Sequence, residues 1–467
     1  MVWQMSSFAG LLDRARHHAD EFLRAMPGRY VGARATREEL LSALAVPLSD
    51  AGEDPLAVLD ALAGQGERGA MATAGPRYFG FVIGGTLPVA LAADWLTSTW
   101  DQNPGIYAAS PVVSVIEEVA REWLLELFDL PRQASLGFVT GCQMANFTCL
   151  AAARHGVLRR AGWNVEEDGL YGAPRINLVT SAESHVTIDV AMRYLGFGTR
   201  NLLRVETDGQ GRMRADRLGR LLENLSGPTI VCAQAGNVNT GAVDPLREIA
   251  QIAHDHGAWL HVDAAFGLWA RASRALRPLV YGIELADSWA TDAHKWLNVP
   301  YDSGVAIVRH AEDHRRAMTS TAAYLVQTQG VERDAVDWVP EFSRRARGIA
   351  VYAAVRSLGR EGVEALIDRG CALARQMADA LRQVPGVEIL NEVVLNQVLV
   401  RFGGDDELTR RVIAGVQQDG TCWLGGTTWH DRAAMRISVS NWSTSEEDAA
   451  RSAEAIARVF REMHAVA

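Results

Sequence analysis

The sequence predicts an α/β protein with a mainly parallel sheet in a large domain, an N-terminal helical segment before it and a small α+β C-terminal domain after it. Three observations predict it. Between about residues 130 and 310, short β-rich runs alternate with helical stretches, the pattern of strands joined by crossover helices. Up to about residue 84 helix signals stand without such strands. After about Gly348 the pattern restarts as helix, then strands, then a last helix, so the divisions fall at 1–84, 85–347 and 348–467.

In chain order, Ser7 to Met26 is amphipathic at helical spacing. Thr36-Arg37-Glu38-Glu39 opens a second helix with a capping box, a hydroxyl first and a carboxylate three residues on. From about Gly75, glycine and proline mark loops, again at Asp101 to Gly105. Gly137 to Asn146 reads as a strand, a small-residue turn and the start of a helix, Met144 to Arg154. Ile176 to Thr180, Thr229 to Gln234, Trp259 to Val262 and Val305 to Val308 are strands, and Pro245 to His256 is a helix. In the last domain Val387 to Phe402 and Met435 to Val439 are strands. A final helix from about Ser445 to Met463 follows a Thr444-x-x-Glu447 capping box.

The 467 residues are 48% hydrophobic and 22% charged, as in an ordinary globular protein. The net charge of -10 and the lack of any basic run disfavour nucleic acid and membrane as partners. Met1 to Gly10 lacks the basic and apolar segments of a secretory signal, and no apolar stretch is long enough to span a bilayer. Five scattered cysteines argue against a disulfide framework or a zinc cluster, so no metal is expected and the cytoplasm is the natural compartment.

Ligands of open α/β sheets bind beyond the carboxyl ends of strands, and the candidate residues fall there. Lys295 sits in a polar cluster, Asp292-Ala-His-Lys295, after a strand-like run. A lone loop lysine is ordinarily a surface residue, but partial desolvation lowers its pKa and makes it an imine former. Asp263 ends an apolar strand about one crossover unit earlier, where a carboxylate either caps the next helix or pairs with a protonated pyridine nitrogen. The turn at Gly141 offers helix N-terminal N–H groups to a phosphate, although most such turns only connect elements. His185 starts a helix after a strand, placed to stack on a pyridine ring or simply to cap. Thr240, a strand-end hydroxyl, has the same ambiguity.

Together these features resemble the group II pyridoxal 5'-phosphate (PLP) decarboxylases, the family of the aromatic-L-amino-acid and glutamate decarboxylases. The resemblance runs over nearly the whole chain, through Gly75-Pro-Arg-Tyr-Phe79, Tyr107-Ala-Ala-Ser-Pro111, His261-Val-Asp-Ala-Ala-Phe-Gly267, Asp292-Ala-His-Lys-Trp296 and Arg436-Ile-Ser-Val439. It implies fold type I of the PLP-dependent transferases, decarboxylation of a small-molecule L-amino acid to an amine and CO2, and a homodimer with the site near the interface. By the same resemblance Lys295 is the Schiff-base lysine, Asp263 the pyridinium partner and His185 the ring-stacking residue. Thr240 and Ala265 touch the ring, and Gly141, Cys142, Gln143 and His294 the phosphate. Tyr78, Phe79 and Tyr107 fall where the family builds its side-chain pocket, which favours an aromatic or large apolar substrate, though three aromatics equally suit a core. Arg436 suits a substrate carboxylate or a structural ion pair.

Two departures stand out. Cys142-Gln143 replaces the Gly-Ser common in the family's phosphate turn, keeping backbone contacts and losing a hydroxyl. The segment Gln327 to Pro340, where amine-forming members carry a proton-returning tyrosine, contains none, and Tyr324 lies just upstream. In related aldehyde synthases, replacing that tyrosine diverts the carbanion towards oxygen. The alternative outcomes are therefore oxidative deamination to an aldehyde, or another Cα reaction such as transamination. A dinucleotide-binding reading is weakened because no Gly-x-Gly-x-x-Gly follows the first strand of the large domain.

Overall fold

The computed structural model describes residues 8–48, 50–319 and 332–465. The apolar runs of the large domain become seven strands: β1 (Ser135–Val139), β2 (Asn177–Ser181), β3 (Leu202–Val205), β4 (Thr229–Gln234), β5 (Trp259–Asp263), β6 (Ser288–Asp292) and β7 (Gly304–Val308). All but the edge strand β3 are almost wholly buried, because helices cover both faces. Their order is β1-β7-β6-β5-β4-β2-β3. β3, β2, β4, β5 and β6 pair in parallel, while β7 runs antiparallel to both β6 and β1. The carboxyl ends of four neighbouring parallel strands, β2, β4, β5 and β6, thus open on one edge of the sheet.

The four strands expected between 176 and 308 appear to within one residue at each end, and the helix expected at 245–256 is Leu246–Asp255. The helix after β1 is longer than expected, Cys142–Arg160, and begins inside the small-residue turn. β3 escapes sequence reading because it is a four-residue edge.

The C-terminal sheet holds β8 (Val387–Ile389), β9 (Gln397–Phe402), β10 (Gly425–Trp429) and β11 (Arg432–Ser438), antiparallel in the order β10-β11-β9-β8. The single strand expected over 387–402 is therefore two strands. Asn391 makes the break: its Nδ2 donates to the Gln397 and Thr240 carbonyls at 2.9 Å each, and its Oδ1 accepts the Leu399 N–H at 2.9 Å. The last helix, Glu446–Ala465, is capped one residue later than expected, with Ser445 and Asp448 exchanging hydrogen bonds at 3.1 Å. The Thr444 hydroxyl is taken up elsewhere, donating to the Pro76 carbonyl at 2.8 Å.

The helix Gly348–Arg382 serves two cores. Val351, Ala354 and Val363 pack into the main core of the large domain, and Leu373, Met377 and Leu381 into that of the C-terminal sheet. It breaks direction at Gly359, whose φ of 61° suits glycine. Just before it, Arg344 grips Glu117 with two hydrogen bonds of 2.9 and 2.7 Å, both side chains buried. Removing one partner strands a charge in the interior. Glu117→Gln is expected to destabilise the fold by about 3–5 kcal/mol, and the double change Glu117→Leu/Arg344→Met by much less. Urea denaturation of the three proteins at one pH checks this; equal losses in single and double variants would contradict it.

Candidate active site

A cavity of about 250 Å³ lies beyond the carboxyl ends of β4, β5 and β6. The parallel strands deliver Gln234, Asp263 and Asp292 to its wall, and the turn after β1 adds Gly141, Cys142 and Gln143 at the start of their helix. Lys295, three residues past the end of β6, closes the wall. His185 enters as the N-cap of the helix Val186–Tyr194, its side chain accepting the Thr187 N–H.

Asp292 organises one end of the cavity. Its Oδ1 accepts the backbone N–H of Cys142 at 2.6 Å, and its Oδ2 pairs with Lys295 Nζ at 2.9 Å. Burial alone would push the Lys295 amine down, but Asp292 outweighs it and holds the pKa above the ordinary lysine range. The expectation of a lowered pKa is therefore overturned, because desolvation here comes with an anion attached. His294 stands beside them, its Nδ1 accepting the Ser303 N–H at 3.1 Å and its Nε2 3.5 Å from Asp292 Oδ1. Burial lowers its pKa, as it does that of His185. Burial also holds the Cys142 thiol well above the usual range, so it remains protonated.

Asp263 differs from Asp292 in its company. It is only 4% exposed, and three uncharged donors hold it: Asn146 Nδ2 at 3.1 Å, the Ala265 N–H at 3.2 Å and Cys142 Sγ at 3.4 Å. Among the described residues no Lys, Arg or His nitrogen lies within ion-pairing distance of it. A buried carboxylate without a cation is costly, so this wall is built for a cationic or proton-bearing group arriving in the cavity.

Of the residues singled out in the sequence, Gly141, Cys142, Gln143, His185, Asp263, Ala265, His294 and Lys295 come together on this cavity. Thr240 does not. Asn237 Oδ1 accepts the N–H groups of Asn239 and Thr240, coiling the chain, and the buried Thr240 hydroxyl donates to the Gln210 carbonyl at 2.7 Å. Val238 lines the cavity instead. Tyr78 and Phe79 are not on the wall either. The Phe79 N–H and C=O bond to Trp423 and Ser438, which stitches the segment to the small domain, and both side chains are buried, Tyr78 stacked on Trp423. Tyr107 sits half-buried away from the cavity, its N–H donating to Asp334 at 2.7 Å. Tyr324 and residues 327–331 lie outside the described residues. Sequence reasoning missed Asp292, Thr187, Gln234, Val238 and Phe266 on the wall, and Asn146 behind it. Asp292 had a legible signal, a carboxylate ending a strand three residues before the lysine.

Among the described residues, no group of three or more His, Cys, Asp or Glu side chains is arranged to hold a metal ion. No helix there is long and apolar enough to cross a membrane. All five cysteines are buried and free.

Comparison with known proteins agrees with this chemistry. A family model described as the pyridoxal-dependent decarboxylase conserved domain matches residues 54–402. Acidic amino acid decarboxylase GADL1 of Homo sapiens is 32% identical over 363 residues, covering 76% of this chain and 68% of that protein. Aromatic-L-amino-acid decarboxylase of Bacillus atrophaeus is 28% identical over 388 residues, covering 80% and 78%. Among solved structures, Oryza sativa TDC with PLP and tryptamine superposes with a TM-score of 0.92 over 99% of each chain at 23% identity, a likeness of fold.

The segment 80–87 supports the cavity from outside. Gly84 N–H bonds the His294 carbonyl at 3.3 Å, and a Cβ on Gly84 would lie 1.6 Å from the Lys295 carbonyl oxygen. Gly84→Ala must therefore displace the lysine backbone. Its PLP affinity is expected to fall by about tenfold or more, about 1.4 kcal/mol per tenfold. Fluorescence titration of the apoprotein measures it, with the thermal midpoint as a control for unfolding; wild-type affinity in a folded variant would contradict it.

Proposed function

The chain belongs to the pyridoxal-dependent decarboxylase family, and we propose that it removes the α-carboxyl group of an L-amino acid as CO2, leaving an amine, with PLP bound through Lys295. PLP supplies the electron sink that makes loss of CO2 from the α-carbon feasible. The observation that carries the reading is Asp263, buried among uncharged donors without a counter-ion, as a partner for a protonated pyridine nitrogen requires. Its distance along the sheet from Lys295 is one strand, since β5 and β6 are neighbours.

The other residues suit the same cofactor. Cys142 and Gln143 open the helix Cys142–Arg160, whose dipole and first-turn N–H groups other than that of Cys142, which Asp292 holds, favour a phosphate. His294, stacked on Tyr301 at 4.2 Å, stands at that end. Ala265 and Val238 offer small apolar contacts to a flat ring, and His185 an imidazole to stack on it. Arg436 donates to the Val238 carbonyl at 3.3 Å, and burial lowers its pKa. Among the described residues it has no carboxylate partner within ion-pairing distance, which suits it to the carboxylate of a substrate.

The relatives act, by name, on acidic and on aromatic amino acids. We favour an aromatic or large apolar side chain, now on a different residue from those first singled out. Tyr301, 58% exposed, stacks on His294 of the cavity wall. The second reading, decarboxylation with oxidative deamination to an aldehyde, rests on the absence of tyrosine from Gln327 to Pro340.

Borohydride reduction and peptide mass spectrometry are expected to find the pyridoxyl group on Lys295. CO2 release is expected to be faster from phenylalanine, tyrosine or tryptophan than from glutamate or aspartate, with amine as product. An adduct on another lysine would overturn the site. Aldehyde and peroxide without amine would select the second reading.

A homodimer with the site near its interface is part of the proposal. The helices Phe8–Ala25, Arg37–Leu44 and Pro55–Gly69 bury no residue within one chain, and Phe8, Leu12 and Leu62 are all more than half exposed. Such an apolar face calls for a covering surface. Light scattering on the purified protein is expected to give twice the chain mass; a monomer at micromolar concentration would contradict it.

A further inference from the structure

Behind the cavity wall runs a chain of buried polar groups that the proposed reaction has not used. Trp259 Nε1 donates to Ser288 Oγ at 2.9 Å, and Ser288 Oγ lies 3.0 Å from His261 Nδ1. His261 Nε2 lies 2.9 Å from Asn146 Oδ1. Asn146 Nδ2 then reaches Asp263 Oδ2 at 3.1 Å and Thr187 Oγ1 at 3.2 Å. Thr187 Oγ1 ends the chain 2.8 Å from His185 Nδ1. Trp259, Ser288, His261 and Asn146 are fully buried.

The donors and acceptors in this chain have one consistent assignment. Ionised Asp263 accepts only, so the Asn146 amide must turn its NH2 towards it and its oxygen towards His261. His261 Nε2 therefore carries a proton. Burial keeps this ring neutral, its pKa lowered to about 4, so Nδ1 is bare and accepts the Ser288 hydroxyl. Ser288 in turn accepts the indole N–H. On the other branch Thr187 Oγ1 accepts from Asn146, which frees its proton for His185 Nδ1. The Thr187 backbone N–H points at the same nitrogen from 3.4 Å. Two donors on Nδ1 leave the proton of neutral His185 on Nε2.

We propose that Asn146 is a positioning residue: its one amide orients the Asp263 carboxylate and, through Thr187, sets His185 as the Nε2–H tautomer, with His261 and Ser288 locking the amide. The two groups expected on opposite aspects of the cofactor ring are thereby aligned by a single side chain. It follows that neutral His185 offers the cavity a hydrogen-bond donor, suited to a carboxylate or carbonyl oxygen, and not a base. Asn146 stands on the helix that also supplies the phosphate turn, so both ends of the site are tied to one rigid element.

The inference rests on the cavity being the PLP site, and its test reads the histidines directly. In holoenzyme labelled with 15N-histidine, His185, assigned by comparison with His185→Gln, is expected to show a protonated Nε2 and an unprotonated Nδ1. Thr187→Ser should keep this pattern. Thr187→Val, left with only the backbone N–H at 3.4 Å on Nδ1, should shift the balance measurably towards the Nδ1–H form, with kcat about tenfold lower and KM within about twofold. Asn146→Leu should also shift the visible band of bound PLP, because Asp263 loses a donor. An Nδ1–H His185 in the wild-type protein, an unchanged tautomer in Thr187→Val or an unshifted band in a folded Asn146→Leu would each overturn the proposal. Should Asn146→Leu not fold, the Thr187 pair decides. A protein that binds no PLP would sink the functional reading separately, since the tautomers remain measurable without turnover.

Discussion

The Asp292 carboxylate is the contact on which the geometry of the site depends. One oxygen takes the Cys142 N–H at 2.6 Å and the other the Lys295 ammonium at 2.9 Å. Burying a carboxylate costs several kcal/mol unless its lone pairs are filled. Charge-assisted hydrogen bonds of about 1.5–3 kcal/mol each offset that cost. The result is that the end of β6, the start of the helix Cys142–Arg160 and the lysine segment cannot move independently. The antiparallel β7 returns the chain between β6 and β1, and Gly304 comes so close that a Cβ there would lie 2.5 Å from Gly141. Lys295 and the Gly141 turn are thus fixed by the same packing.

How much of this was legible in the sequence follows from how local each signal is. Strands β2, β4, β5 and β7 are short apolar runs bounded by polar residues, so their limits could be read closely. Lys295, Asp263 and His185 stand just past such runs, and a parallel sheet brings strand ends together whatever the loops do. Loops are different. In the turn after β4, a single residue separates Thr240 from Val238, and only the hydrogen bonds of Asn237 decide which of them faces the cavity. Tyr78 and Phe79 misled for another reason: the Phe79 backbone is bonded to Trp423 and Ser438, and the Tyr78 ring stacks on Trp423, hundreds of residues away. Long-range pairing of that kind leaves no local periodicity.

Asn146 was invisible for a third reason. A polar residue in an apolar helix reads as a minor exception, and its meaning comes from His261 and Asp263 on β5 and Thr187 on the helix Val186–Tyr194, two separate segments. Such networks need every donor matched to be tolerable inside a protein, which is why their proton positions can be reasoned out once distances are known.

The two buried aspartates show how one sheet edge sustains opposite demands. They end neighbouring parallel strands, about 4.8 Å apart in the hydrogen-bonding direction, yet their surroundings differ in charge. Asp292 is neutralised from within by Lys295. Asp263 is held by an amide, a backbone N–H and a thiol, none of which cancels its charge. Were both matched by internal cations, the cavity would have no electrostatic reason to protonate a ligand. Were neither, the pair would repel and one would take up a proton. The asymmetry leaves one anion free to favour a proton on an incoming ring nitrogen. The same asymmetry favours the charged form of Lys295, whose ammonium Asp292 holds at 2.9 Å.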